Sequence, residues 1–350
     1  MKNLPHHKIN RKNPIHRIRF FQVRRLLLLL LIAAVIAGAW LVATPYGPSS
    51  QILVEIPQGT PTAKISALLK ERGVVRSQLA FDVLQKMEGG TLKAGEYRFD
   101  HPARMTEVYR RLEQGDVYTV SVTFPEGSNL FDIAQRLRNA GFGSRTEFLA
   151  AAKKNVYLIA DLDPKAPSLE GYLFPDTYRL SPTATPTEIQ KAMVHRFREE
   201  AKEVGLNGDY HRIVTLASLI ERETPISAER PLVASVFVNR LAKGMPLMTD
   251  PSVIYAALLK GDYRGAIYES NLQSDSPYNT YKHAGLPPGP ICSPGAGSLK
   301  AAMHPAQTDY LYFVAASADP SGKSRFSATL AQHEHNVAAY RKSLREAHSQ

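Results

Sequence analysis

Two carboxyls near the end of one predicted helix are the first sign of chemistry. Residues 209–223 read DYHRIVTLASLIERE. Ile213, Leu216, Ala217 and Ile220 recur at helical spacing and form one apolar stripe. Asp209 fits the N-cap, and Pro225 ends the helix. At about 100° per residue, Glu221 and Glu223 lie on opposite flanks of that stripe, about 160° apart, and cannot serve one site. Glu221 has the small side chains of Ala217 and Ser218 beside it, over which a ligand could approach. Glu223 is hemmed in by Leu216, Leu219 and Ile220. A carboxyl at the edge of an apolar stripe can keep its proton near neutral pH, as a general acid must. The alternative is a solvated flank residue paired with Arg222 or Arg230.

The chain downstream adds weight to the first reading. Asp250 and Pro251 fit an N-cap followed by proline at N1, opening a helix over 252–260. Asp250 is either that cap or a second carboxylate. Residues 276–281 (SPYNTY) bring rings, an amide and hydroxyls together, and residues 285–295 (GLPPGPICSPG) form a stiff loop. Rings stack on sugar faces and polar groups bond sugar hydroxyls, so this pairing suits a carbohydrate groove as well as an ordinary connector. Other chemistry is poorly served. His333 and His335 point to different sides of a helix, and Cys292 has no sign of activation. There is no G-x-S-x-G elbow, no phosphate-binding loop and no dinucleotide fingerprint. No metal and no organic cofactor is expected.

The elements that must position these groups follow from patterning. The formal net charge is +11 over 350 residues. Residues 1–25 contain Lys2, Lys8, Arg11, Lys12, Arg17, Arg19, Arg24 and Arg25 without an acid, so the rest is near neutral. A nucleic-acid partner is therefore not expected. Residues 26–43 are an unbroken apolar run long enough to cross a bilayer. A small-residue pattern at Ala37-Gly38-Ala39 lies inside that run, which favours an uncleaved anchor over a signal peptide. The basic flank predicts a cytoplasmic N-terminus and an external remainder. Residues 44–50 (TPYGPSS) read as a linker.

An internal similarity follows. The run IPQGT at 56–60 recurs as FPEGS at 124–128, and Ile65, Leu69 and Gly73 recur as Ile133, Leu137 and Gly141, all 68 residues on. Each copy reads as strand, turn and a helix ended by glycine. Residues 95–99 and 117–124 read as strands, 105–114 and 187–204 as helices, and 166–180 as an irregular stretch. A strand pair at 310–315 and 326–329 precedes a terminal helix. A domain boundary falls near residue 118. The fold class is α+β.

The order of motifs is similar to that of the YceG-like (MltG) family of endolytic murein transglycosylases. LEGYLFPDTY at 169–178, ASLIERET at 217–224, VFVNRL at 236–241, MTDPSVIYA at 248–256, YNTY at 278–281, the 285–295 loop and LKAAMHPA at 299–306 carry the resemblance. It implies that Glu221 is the catalytic acid/base and that the bond cut joins N-acetylmuramic acid to N-acetylglucosamine within new strands, leaving 1,6-anhydro ends. It implies a LysM-like glycan-binding module over 51–117, a transglycosylase domain over 118–345, and a place in the cytoplasmic membrane among lipid and peptidoglycan synthases. Glu170, Ser218, Asp250, Tyr278, Asn279 and Tyr281, taken from the motifs, are the expected substrate contacts. A lysozyme-like hydrolase using Asp250, or a non-catalytic glycan-binding scaffold, would be the alternatives.

Overall fold

Proline at the start of a helix and an apolar run without breakers explain the first element. In the structure, a computed structural model that describes residues 14–319 and 322–348, helix α1 runs from Pro14 to Ala43. Half of the expected basic tail is thus helix continuous with the apolar run. Residues 1–13, with Lys2, Lys8, Arg11 and Lys12, lie outside the described residues. The segment Gln22–Ala43 has a mean hydropathy of 2.9, and none of its residues is buried, although Val42 at its end packs against the core of the unit that follows. At 1.5 Å per residue it extends about 33 Å, enough to cross a bilayer. The expected linker is pinned rather than free. Tyr46 pairs with Ala103 through both backbone bonds, at 2.9 and 3.1 Å. The Arg76 guanidinium lies 4.5 Å from the Trp40 ring and 5.0 Å from the Tyr46 ring.

The chain divides into two compact units, Met1–Tyr118 and Thr119–Gln350. In the first, strand β1 (Ile52–Ile56) leads to α2 (Thr62–Glu71), α3 (Gln78–Glu88), β2 (Gly95–Phe99) and α4 (Met105–Gln114). The strands pair antiparallel, with Val54 opposite Tyr97. Alternation buries Val54, Ile56, Tyr97 and Phe99 on one face, against Ile65, Leu69 and Phe81 of the helices.

The second unit opens with β3 (Val120–Thr123), α5 (Leu130–Asn139), α6 (Arg145–Lys154) and β4 (Thr177–Leu180). β3 and β4 pair antiparallel. The β-α-α-β order of the first unit is therefore repeated. The turns match closely. The hydroxyls of Thr60 and Ser128 each donate to the carbonyl of the preceding proline turn at 2.7 Å. Helices α2 and α5 begin and end 68 residues apart. β3 is shorter than the strand expected over 117–124, because Tyr118 N–H is spent on Glu96 at 2.6 Å.

The remainder is largely helical: α7 (Pro186–Glu203), α8 (Tyr210–Glu223), α9 (Arg230–Ala242), α10 (Asp250–Lys260), α11 (Glu269–Leu272) and α12 (Ala296–Met303). An antiparallel pair, β5 (Tyr312–Ala315) and β6 (Ser324–Ser327), precedes α13 (Leu330–His348). Thr185 and Glu188 form a capping box on α7, with Pro186 in its first turn. Helix α8 is the centre of this layer and packs on α9, α10 and α12. Its side chains at 214–220 are all buried. A single apolar stripe was expected, but neighbours on several sides cover the whole turn, and Ile213 is only half-buried. Leu216→Ala should cost about 2–5 kcal/mol through the cavity it opens, measured by denaturant unfolding against the unsubstituted chain. A loss under about 0.5 kcal/mol would show that this position is not core.

Candidate active site

Helix α8 ends beneath a loop, and that junction builds the site. Asp209 caps the start, accepting from Arg212 N–H at 3.0 Å. At the other end Thr224 N–H bonds back to Ile220, and Pro225 prevents another turn. The last buried turn brings Ser218 and then Glu221 to the loop over 291–295. Ser218 Oγ accepts from Ile291 N–H at 3.0 Å, and the Cys292 thiol donates to the Ser218 carbonyl at 3.3 Å. Glu221 Oε2 accepts from Gly295 N–H at 2.9 Å. On its other edge the loop pairs with the turn after β3. Ser293 N–H donates to Ser128, and Gly127 N–H to Ser293, both at 2.9 Å.

Arg230, at the start of α9, completes the setting. Its Nη2 lies 3.0 Å from Glu221 Oε1 and 3.3 Å from Glu126 Oε2. The Glu221 side chain is 5% exposed and that of Arg230 10%, against 48% for Glu126. A Cβ at 295 would meet the Glu126 carboxylate at 2.0 Å, so a larger residue there would push that half-exposed side chain aside. Arg222 turns away from Glu221 and donates to the Gly127 carbonyl at 3.4 Å. Of the two arginines weighed as partners, Arg230 is the one used. A hollow of about 570 Å³ opens beside the pair, walled by the 125–128 turn, by Asp132, Gln135, Arg136 and Asn139 of α5, and by Arg222. A Cβ at Gly127, which lines this hollow, would lie 3.7 Å from Glu221 Cγ, so the Glu221 side chain packs directly behind that turn.

The approach to Glu221 differs from the expected one. Ala217 and Ser218 are fully buried, and the 291–295 loop lies over Ser218. The 125–128 turn lies on another side of Glu221 and lines the neighbouring hollow. Several expected substrate contacts also belong to the interior. Ser218 is spent on the loop. Asn279 is fully buried and donates to the carbonyls of Leu272 and Ser274, at 2.9 and 2.7 Å. Tyr278 is buried with its ring 5.1 Å from that of Tyr255. Glu170 is buried and accepts from Leu130 N–H at 3.0 Å, holding the start of α5. Asp250 and Tyr281 do reach the surface, joined by a 2.6 Å hydrogen bond from the tyrosine hydroxyl. Thr249, not Asp250, is the cap of α10, so Asp250 sits in the first turn. Its charge acts on Glu223, whose carboxyl is pushed up to about 7, first by burial and then by Asp250. The carboxylate that shares a partner with Glu221 is Glu126. The sequence signal for it was the repeat, where glutamate stands in place of Gln58.

The loops are locked by shape. Gly171 has φ +83°, and a Cβ there would fall 2.5 Å from Pro290 Cβ and 2.9 Å from Val214 Cγ1. The 166–176 stretch thus docks against both α8 and the proline-rich loop. Burial pushes the Cys292 thiol well up, so it stays a neutral packing group. Among the described residues no group of three or more His, Cys, Asp or Glu could hold a metal ion.

Glu170 generates a pH test. Burial raises its carboxyl to about 8, despite the Leu130 hydrogen bond. In the unfolded chain it titrates near 4.5. The folded state therefore holds the extra proton between those values. Its stabilising share is present below about pH 4.5 and is lost as pH rises through 8. The melting temperature of Glu170→Gln should fall less between pH 5 and 8 than that of the unsubstituted protein. Parallel curves would show that Glu170 is not raised.

With the geometry in place, comparison with known proteins is informative. The YceG-like family model matches residues 54–339. A Bacillus subtilis (strain 168) protein named endolytic murein transglycosylase is 35% identical over 317 residues, 84% of this chain and 86% of that protein. A Streptococcus pneumoniae (strain D39) protein of the same name is 29% identical over 322 residues, 83% of this chain and 58% of that longer protein. A solved structure of a yceG-like protein from Listeria monocytogenes aligns with a TM-score of 0.53 at 33% identity, over 82% of this chain and 99% of that one. By the family match and these identities, the chain belongs to the YceG-like family.

Proposed function

We propose that this protein is an endolytic murein transglycosylase and that Glu221 is its single acid/base. The observation that carries the reading is Glu221 itself, a carboxyl held between Arg230 and Gly295 N–H, behind the 125–128 turn that lines a polar hollow. The relatives' shared name supports the reaction class. In the protonated form Glu221 gives its proton to the glycosidic oxygen as the bond from the muramic acid C1 breaks. The carboxylate then takes the proton of the same sugar's 6-hydroxyl, whose oxygen closes on C1. The products are a free 4-hydroxyl and a 1,6-anhydro end, Glu221 regains its proton, and no water is consumed. Arg230 and the Gly295 amide are placed to stabilise the carboxylate between the two steps. Gln135 and Asn139 on the α5 wall offer hydrogen-bonding groups to sugar hydroxyls.

Glu126 is the group a hydrolytic reading would need, because it stands across Arg230 from Glu221. Paired-carboxylate hydrolases place a nucleophile or base there. The β-α-α-β unit over 51–117 is read as a LysM-like glycan-binding module ahead of a transglycosylase domain over 118–345. The α1 span is read as a single-pass anchor in the cytoplasmic membrane, with the N-terminus inside and the site outside, near the lipid surface and the peptidoglycan synthases. Asp250 and Tyr281, joined at the surface, are read as further contacts for the strand.

The test uses the full chain in detergent with uncrosslinked glycan strands. Glu221→Gln should slow cleavage by about 10²–10⁴. Stability should fall by only about 1–3 kcal/mol, since glutamine keeps an acceptor for one of the two donors. Glu126→Gln should keep cutting. A folded Glu221→Gln protein that cuts at the unsubstituted rate would reject the assignment. Loss of cleavage in both variants would favour the hydrolytic pair.

A further inference from the structure

The second unit has a further hollow, apart from the one near Glu221. It has a volume of about 980 Å³ and lies where α5 and α6 meet the end of α10. Arg138, Arg145 and Lys153 line it, together with the rings of Phe131 and Tyr263 and the residue Ser144. No carboxylate lines it. The acids nearest along the chain are already engaged. Glu147 accepts from Ser144 N–H at 3.0 Å, and Asp262 pairs with Lys260 at 2.9 Å. Arg145 Nε is buried there without a hydrogen-bond partner. Three cations gathered around an open hollow repel one another, and a buried donor without an acceptor costs free energy. An anionic ligand removes both penalties. The same helix, α5, walls both hollows. Residues 132, 135, 136 and 139 border the one at Glu221, and residues 131 and 138 border this one.

We infer that the basic hollow is a second, non-catalytic binding site, which takes the carboxylates of peptide stems on a glycan strand engaged at Glu221. This rests on the transglycosylase reading. In a stem-bearing strand the lactyl carboxyl is consumed in an amide bond, so the negative charge resides in the peptides. Arg138 and Arg145 suit carboxylates through paired N–H donors, and Lys153 as a point charge. The Tyr263 ring offers an apolar face beside them.

Binding is measured by titration calorimetry on the full-length Glu221→Gln protein in detergent. The probes are uncrosslinked stem-bearing strands and the same strands with their stem carboxyls converted to amides. Amidation should weaken binding about tenfold. Arg138→Ser/Lys153→Ser, both at exposed positions, should bind the acidic strands no better than the amidated ones. Lys153→Glu alone is the check should the double variant melt early, and it should lose most of the preference. Equal affinity for both strands in the parent protein would overturn the inference. So would a folded double variant that keeps the full preference. The parent reading fails separately, if the unsubstituted protein releases no anhydro-ended fragments from either strand.

Discussion

The docking of the 291–295 loop onto the end of α8 is the constraint on which the site depends. Helix α8 is buried over residues 214–220, so the polar groups there must be satisfied by neighbouring chain. Ser218 is satisfied by Ile291 and Cys292, and Glu221 by Gly295 and Arg230. The loop in turn is fixed to the 125–128 turn through both backbone groups of Ser293. Four prolines stiffen the 285–295 stretch that carries this loop, so little conformational freedom is left to lose when it docks. Glu221 is thereby held at one place and orientation before any substrate arrives. Such preorganisation is what proton transfer to a specific oxygen requires.

The duplicated β-α-α-β unit shows how one local solution serves two ends. A two-stranded sheet is marginal alone, and each copy covers its sheet with a pair of helices. The turn after the first strand is closed the same way in both, by Thr60 and by Ser128. The copies differ where chemistry would be. Gln58 in the first becomes Glu126 in the second, which reaches Arg230. The helix after that turn lies between the two hollows in the second copy. A conserved backbone geometry has been given different side chains rather than a different fold.

Local signals were legible in the sequence, and long-range partners were not. Residues 95–99 and 105–114 have the bounds expected, because alternation marks the strand and Gly115, in the left-handed region, ends the helix. Asp209 as a cap and Pro225 as a stop were equally plain. Glu221 stood out by helical position and by the family resemblance, and Arg230, nine residues on, was one of the two arginines weighed as its partner, but the other groups of its setting lie far along the chain. Gly295 is 74 residues away, and Glu126 reaches it only through Arg230. Ser218, Asn279 and Glu170 show why polar residues in a motif are ambiguous. The same groups that could bind sugar hydroxyls also satisfy buried backbone, and here they do the latter. The single stripe expected on α8 failed because periodicity cannot count how many neighbours a helix has.

The central claim is that one carboxyl, placed by a loop and an arginine, drives cleavage in which the sugar's own hydroxyl replaces water. The most direct measurement is cleavage of uncrosslinked strands by the full chain in ¹⁸O-labelled water, followed by mass spectrometry of the new ends. The account predicts anhydro ends that carry no label. Label at C1 of the new ends would contradict it and point to a water activated near Glu126.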